Sequence, residues 1–264
     1  MSLQKDSFWG KKVLIVGLGS YAQGSGLAAA KYFAEQGAEV TVTDLKTADE
    51  LAPQIRNLMK LVQLKKLERP VFVFGGHREE DFARADLVFQ NPSVPDSSTY
   101  LAIARKRKVP IVNDWTLFFQ QFPDNMLIGV TGTRGKSTVT ALLYEMIKTV
   151  SPGTLLCGNI GSSPLMYFSK IKTDTVIVAE LSSWLLRGLK PVKKSPHIAV
   201  ITNLLPDHLD KYPSLRSYWK DKENIYKYQK SGDILVTSRK VYKVLGSLEA
   251  DVRFYDDERM LPTK

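Results

Sequence analysis

Twice along this chain a short, wholly apolar run leads straight into a glycine-rich loop and then into a helix-favouring stretch. Residues 13–16 run into Gly17-Leu18-Gly19-Ser20-Tyr21-Ala22-Gln23-Gly24-Ser25-Gly26, and residues 127–130 run into Thr131-Gly132-Thr133-Arg134-Gly135-Lys136-Ser137-Thr138. Continuous apolar runs suit strands covered on both faces, which is the condition of a parallel sheet. Parallel neighbours need long crossovers, usually helical, so the pattern points to βαβ units. Runs of the same kind stand at 40–43, 71–74 and 87–89, and again at 175–179, 198–202 and 234–237. Helices are expected over 27–36 with Gly37 as the stop, 51–67, 137–149, and 214–230 with Ser214 as N-cap. The pattern restarts after the Pro123-Asp124-Asn125 turn. The reading is therefore an α/β protein of two domains, residues 1–114 and 115–264, a length that can bury two cores.

Composition narrows the class. No apolar run approaches the length of a membrane span, and MSLQKDSFWGKK lacks the apolar core of a signal peptide. The single cysteine, Cys157, follows Leu155-Leu156, excludes an intramolecular disulfide and reads as a small buried hydrophobe. The expected compartment is the cytoplasm, with no membrane insertion. A net charge of +10 suits anionic ligands, but the basic residues lie in short scattered clusters, such as 105–108 and Lys193-Lys194, and read as solvated faces rather than a nucleic-acid surface.

The first loop begins like the dinucleotide fingerprint G-x-G-x-x-G, with Ala22 at the third position, where alanine is tolerated. Asp44 closes the next run, where an acid in such a domain holds a ribose hydroxyl. A dinucleotide site and a plain tight strand–helix turn both fit. Gly24 and Gly26 lengthen the loop and leave room for a phosphate or sugar.

The second loop is more specific. It departs from G-x-x-x-x-G-K-[ST] at Val130, yet Gly129, Gly132 and Gly135 precede Lys136-Ser137-Thr138 at a helix start. Glycines turn backbone N–H groups inward, the helix start adds positive potential, a lysine reaches phosphate oxygens, and a hydroxyl is offered to Mg²⁺. Glu180 ends a very apolar run at the sheet edge where ligands bind, and suits metal ligation there. His208 sits among acids just after another buried run, whereas His77 and His197 read as ordinary residues.

Taken together, Thr131 to Thr138, Gly158-Asn159-Ile160-Gly161, Glu180-Leu181-Ser182-Ser183 and Asp207-His208-Leu209-Asp210 resemble, in this order, the ATP-binding domain of the Mur ligases. Folylpolyglutamate synthases share much of that set. Upstream, Val16-Gly17-Leu18-Gly19, Val42-Thr43-Asp44, Gly76-His77 and residues 85–92 resemble the UDP-binding domain of the members that join D-glutamate to UDP-MurNAc-L-alanine. The resemblance implies a Rossmann-like parallel-sheet domain followed by a P-loop-type α/β central domain. It implies peptidoglycan-precursor synthesis by ATP-driven amide formation, in which a carboxylate becomes an acyl phosphate that an amine then attacks.

Carried over by position, Gly132, Thr133, Gly135, Lys136, Ser137 and Thr138 would bind ATP, and Ser137 or Thr138 with Glu180 would hold Mg²⁺. His208 would hold a second Mg²⁺ or Mn²⁺ ion, or orient the acyl group. Asn159 and Ser182 would contact the muramoyl-alanine part, and Gly19, Ser20, Asp44 and Asn91 would line the UDP pocket. The family's N-carbamoylated, metal-supporting lysine falls in Tyr218-Trp219-Lys220-Asp221-Lys222, and Lys222 is chosen over Lys220. Lys136, Glu180, His208 and Lys222 are thus the expected catalytic set.

Departures concern Trp184-Leu185, where the family reads Phe-Gln, and Asn91-Pro92-Ser93, in place of Ser-Pro-Gly. Family members have three domains, and this chain stops at Leu261-Pro262-Thr263-Lys264. The central domain is therefore read as incomplete, and the chain alone is expected not to ligate without a C-terminal domain or a complementing chain. A ligase for another amino acid, a folylpolyglutamate-type enzyme, a non-catalytic UDP-sugar-binding module and an NAD-dependent protein are the competing readings. The last leaves Lys136, Glu180 and His208 unexplained.

Overall fold

Strand β1 (Lys12–Val16) has aliphatic side chains at all positions after Lys12, so neither face suits water. Its alternate residues enter two cores: Val13 and Ile15 pack with Leu27, Phe33, Val40 and Phe89, while Leu14 and Val16 pack with Phe82, Val88 and Leu101. A strand buried on both faces is thereby placed at the centre of its sheet. The computed structural model describes residues 8–123, 126–207 and 212–257.

The first unit continues through α1 (Ser25–Glu35), β2 (Glu39–Asp44), α2 (Ala52–Lys65), β3 (Val71–Phe74), α3 (Glu79–Arg84), β4 (Leu87–Gln90), α4 (Thr99–Lys106), β5 (Ile111–Val112) and α5 (Asp114–Gln121). Its five strands are all parallel, in the order β3-β2-β1-β4-β5. The order reverses between β1 and β4, and a crevice opens there at the carboxyl ends of the strands. The glycine loop after β1 and Asn91 after β4 both lie at that point.

The Gly24-Ser25-Gly26 extension behaves differently from its expected role as spare room. Gly26 lies in the first turn of α1, and a Cβ there would collide with the carbonyl oxygens of Gly17 and Leu18. It lets helix and loop approach closely, the task that the fingerprint gave to position 22. Gly26→Ala is expected to cost about 2–3 kcal/mol, because the obstacles are backbone atoms that cannot rotate away. Thermal unfolding measures this, and an unchanged midpoint would contradict the packing argument.

The second unit runs through β6 (Leu127–Thr131), α6 (Lys136–Val150), β7 (Leu155–Gly158), β8 (Ile177–Glu180), α7 (Ser183–Arg187), β9 (Ile198–Ile201), α8 (Leu215–Lys222), β10 (Ile234–Thr237), α9 (Arg239–Tyr242) and β11 (Asp251–Phe254). Its sheet is again wholly parallel, in the order β11-β10-β9-β6-β8-β7. Val130 pairs with Glu180 on one side and Val200 on the other, and Gly158 pairs with Glu180. That register brings the ends of β6, β7, β8 and β9 to one edge. Cys157 is fully buried in β7, as its apolar neighbours suggested.

The helix expected over 214–230 is shorter. Ser214 does cap it, in a reciprocal pair with Ser217. It stops at Lys222, and a 3-10 turn follows at Glu223–Ile225. The Asn224 side chain donates to the Asp221 carbonyl at 2.9 Å, taking the acceptor that the next turn of α-helix would use.

Residues Ser162–Ser169 belong with the first unit, although the chain around them belongs to the second. Leu165 enters the first core and Phe168 packs edge-on against Tyr32. Ser163 bonds to Asp114, whose burial holds its carboxyl above the usual range, and Ser162 donates to Gln23. Among the described residues no helix is long and apolar enough to cross a membrane.

Candidate active site

The loop after β6 is shaped by the strand beside it. A Cβ on Gly132, whose φ is +150°, would overlap the Thr202 hydroxyl, so only glycine lets loop and β9 end meet this closely. Asn203 then clamps the loop: its Oδ1 accepts the N–H groups of Thr133 at 3.2 Å and Arg134 at 2.9 Å, and its amide donates to the Arg134 carbonyl. The Thr133 hydroxyl donates to the Leu205 carbonyl at 3.0 Å. Gly135 precedes α6 with no side-chain cap, leaving the helix start to an outside acceptor. Lys136, the first residue of α6, folds back on the Thr133 carbonyl at 3.0 Å. Ser137 and Thr138 are exposed on the first turn.

Lys222 meets this loop from α8. It is 3% exposed, its Nζ donates to the Gly132 carbonyl at 2.8 Å, and it stands 4.7 Å from the Tyr218 ring. Desolvation, followed by repulsion from Lys136, pulls its pKa down to about 7, against the attraction of Asp207 and Glu180. Lys220, the competing lysine of the motif, is exposed. A buried amine that is half uncharged near neutrality is a nucleophile rather than a fixed cation.

Glu180 is 1% exposed at the end of β8. Its Oε1 accepts from the Asn159 amide at 3.0 Å, and its Oε2 is buried with no hydrogen-bond partner among the described residues. A buried carboxylate oxygen without a donor, in a cluster with lysines and hydroxyls, fits a cation. Among the described residues no group of three or more His, Cys, Asp or Glu side chains could hold a metal ion. A divalent ion at Glu180 would be shared with phosphate and water, the usual setting of Mg²⁺. Ser182 caps α7 by accepting from Leu185 N–H at 3.4 Å. His208 lies outside the described residues. The sequence reading gave no role to Asn203; its place directly after a strand that ends beside the glycine loop was the available signal.

In the first unit, Asp44 holds the other glycine loop. Its Oδ2 accepts the N–H groups of Leu18 at 2.8 Å and Gly19 at 3.3 Å, and its Oδ1 accepts from Lys46 N–H. Asn91 donates to the Gly17 carbonyl at 3.0 Å and accepts from Ser93. Ser20 is held through its carbonyl by Gln54 at 2.5 Å and through its hydroxyl by Lys46. Gly19, Ser20, Asp44 and Asn91 thus form one cluster, to which Gln54 and Lys46 are added. His77 accepts or donates through Nδ1 to the Thr43 hydroxyl at 2.6 Å and packs against Phe82 and Tyr100; burial lowers its pKa.

Comparison with known proteins follows the same division. A family model of the Mur ligase MurD-like N-terminal domain matches residues 11–113, and one of the Mur ligase middle domain matches residues 130–253. The UDP-N-acetylmuramoylalanine–D-glutamate ligase of Roseiflexus sp. (strain RS-1) is 43% identical over 225 residues, which cover 85% of this chain and 46% of the relative. That of Borreliella burgdorferi (strain ZS7) is 36% identical over 241 residues, 91% of this chain and 50% of the relative. The chain therefore spans about half the length of these relatives. Among solved structures, a UDP-N-acetylmuramate:L-alanyl-gamma-D-glutamyl-meso-diaminopimelate ligase from Neisseria meningitides matches with a TM-score of 0.61 at 18% identity, covering 93% of this chain and 78% of that one. A murein peptide ligase from Psychrobacter arcticus 273-4 matches at 0.56 and 14% identity, covering 93% and 53%. At such identities these two structures establish the shared α/β fold. With a MurD-like N-terminal domain followed by a Mur ligase middle domain, the chain belongs to the Mur ligase family.

Proposed function

We propose that this chain forms the UDP-sugar and ATP sites of a ligase that joins D-glutamate to UDP-MurNAc-L-alanine in peptidoglycan-precursor synthesis in the cytoplasm. The first unit serves the UDP part of the substrate, through Gly19, Ser20, Asp44 and Asn91, and the second serves ATP and the muramoyl-alanine part. The observation that carries the reading is the meeting of Lys136, Glu180 and buried Lys222 around one glycine loop. Two lysines and a carboxylate so placed suit a reaction in which charge moves between phosphate oxygens.

On this reading, Gly132, Thr133 and Gly135 shape the loop, and Lys136 holds the β- and γ-phosphates. Ser137 or Thr138, with Glu180, would hold Mg²⁺, which when bound would neutralise charge on the transferred phosphoryl group. The substrate carboxylate oxygen attacks the γ-phosphorus, the bond to the bridging oxygen breaks, and ADP departs. The amine of D-glutamate then attacks the acyl carbon, phosphate leaves with the C–O electron pair, and the amine loses a proton. Asn159 and Ser182 position the muramoyl-alanine part, and His208 would hold a second Mg²⁺ or Mn²⁺, or orient the acyl group. Lys222 in its neutral form takes up CO₂: its nitrogen bonds to carbon, a proton is released, and the resulting carbamate supports the metal. The buried, proton-poor amine supports this last assignment.

Titration of the chain with UDP-MurNAc-L-alanine and with NAD tests the reading. Binding of the UDP ligand with no binding of NAD is the expected result. Tight NAD binding without UDP-ligand binding would overturn it.

A further inference from the structure

Asp221 precedes Lys222 on α8, and the two side chains leave the helix about 100° apart. Asp221 points to α7. Its carboxylate is 8% exposed; Oδ1 accepts from Lys190 at 2.6 Å, and Oδ2 accepts from Arg187 at 3.1 Å and from the Tyr212 hydroxyl at 3.0 Å. Arg187 also donates to the Tyr212 oxygen at 3.3 Å, and Ser183 hydrogen-bonds to Tyr212. The Asp221 carbonyl is held as well, by Asn224, whose own carbonyl accepts from Ser195. A buried carboxylate with three donors is a strong hold, since each bond is charge-assisted or shielded from water.

The anchored point is the end of an eight-residue helix, where fraying is otherwise expected. Lys222 is its last residue. The partners are also informative. Ser183 and Arg187 belong to α7, which follows Glu180 and Ser182, and Tyr212 stands four residues after His208 in the sequence. One carboxylate therefore ties the end of α8 to α7, the helix that follows Glu180 and Ser182, and to Tyr212.

We propose that Asp221 is a positioning residue, fixing the end of α8 so that Lys222 keeps its amine against the Gly132 carbonyl; this rests on the reading of Lys222 as support for the metal–nucleotide site. The test uses this chain with two readouts, the first in CO₂-depleted buffer and the second with CO₂ restored. In Asp221→Asn, labelling of Lys222 by an amine-reactive reagent, measured against exposed Lys220 by mass spectrometry, is expected to rise about tenfold. Mg–ATP affinity, measured with CO₂ restored, is expected to fall about tenfold, while ADP affinity in excess EDTA is unchanged. A merely structural loss would weaken both nucleotides together. Unchanged labelling, or equal loss with and without Mg²⁺, would overturn the proposal. If Asp221→Asn does not fold, Tyr212→Phe removes one of the three donors and is expected to move both readouts in the same direction by a smaller factor; no movement there overturns the proposal equally. Lys222→Ala separates the two failures. Unchanged Mg–ATP affinity in that variant sinks the reading of Lys222, whereas loss there with none in Asp221→Asn sinks the positioning role.

Discussion

A Lys136→Ala variant is expected to bind Mg–ATP about a hundredfold less tightly than the parent chain, as read by titration calorimetry. Lys136 is the first residue of α6, at a helix start that no side chain caps. Its ammonium rests on the Thr133 carbonyl within the loop itself, so a short swing carries it to a phosphate. Alanine keeps the helix and the loop backbone but removes the charge. The loss is compounded next door, because Lys136 is the second-largest influence lowering the Lys222 pKa. Without it Lys222 gains a proton more readily and is less able to take up CO₂. Full retention of ATP affinity would refute the role given to the loop.

The second large effect concerns stability against pH, in CO₂-free buffer. The Lys222 amine titrates near 7 when folded and at its ordinary value of 10.5 when solvated. Between those values the unfolded chain binds the additional proton, so raising the pH favours the folded state. The parent chain should therefore gain up to about 1.4 kcal/mol per pH unit over this window from this residue. Below about pH 7 the amine is protonated in both states, the contribution is flat, and the buried charge is at its most costly. Lys222→Met keeps the stem's volume and removes the titration, so the parent's stability should rise steadily relative to that of the variant from pH 7 towards 10, and the variant's advantage at low pH should shrink. Denaturant unfolding at a series of pH values checks this. Parallel curves would show that Lys222 is solvated in the folded chain.

Much of this was legible in the sequence because parallel sheets write themselves as continuous apolar runs. The central strands, with Val13 to Val16 and Leu127 to Val130 among them, were readable for that reason. Three of the four edge strands were not: β5 has two residues, β7 is mostly half-buried, and β11 alternates exposed with half-buried positions. Such strands are fixed by their neighbours more than by their own composition. In the site, Lys136, Glu180 and Lys222 were readable as motif positions, but Asn203 and Asp221 were not, because an amide or acid on a loop or helix declares its partner only when distant segments meet. Gly26 shows the same limit in reverse. Its residue type was evident, yet what it makes room for is a carbonyl of its own loop rather than a ligand.

The return of Ser162–Ser169 to the first unit bears on how the chain can be dissected. A gene fragment ending at Gln121 would hold every strand of the first sheet and yet not the whole unit. It would leave a hole where Leu165 sits, uncover Tyr32 where Phe168 covers it, and deprive fully buried Asp114 of the Ser163 hydroxyl. Excision at the obvious border would thus make two damaged halves. A faithful separation would need a circularly rearranged or grafted fragment carrying the eight returning residues, and proteases that nick the chain between the sheets would weaken the first unit from a distance along the sequence.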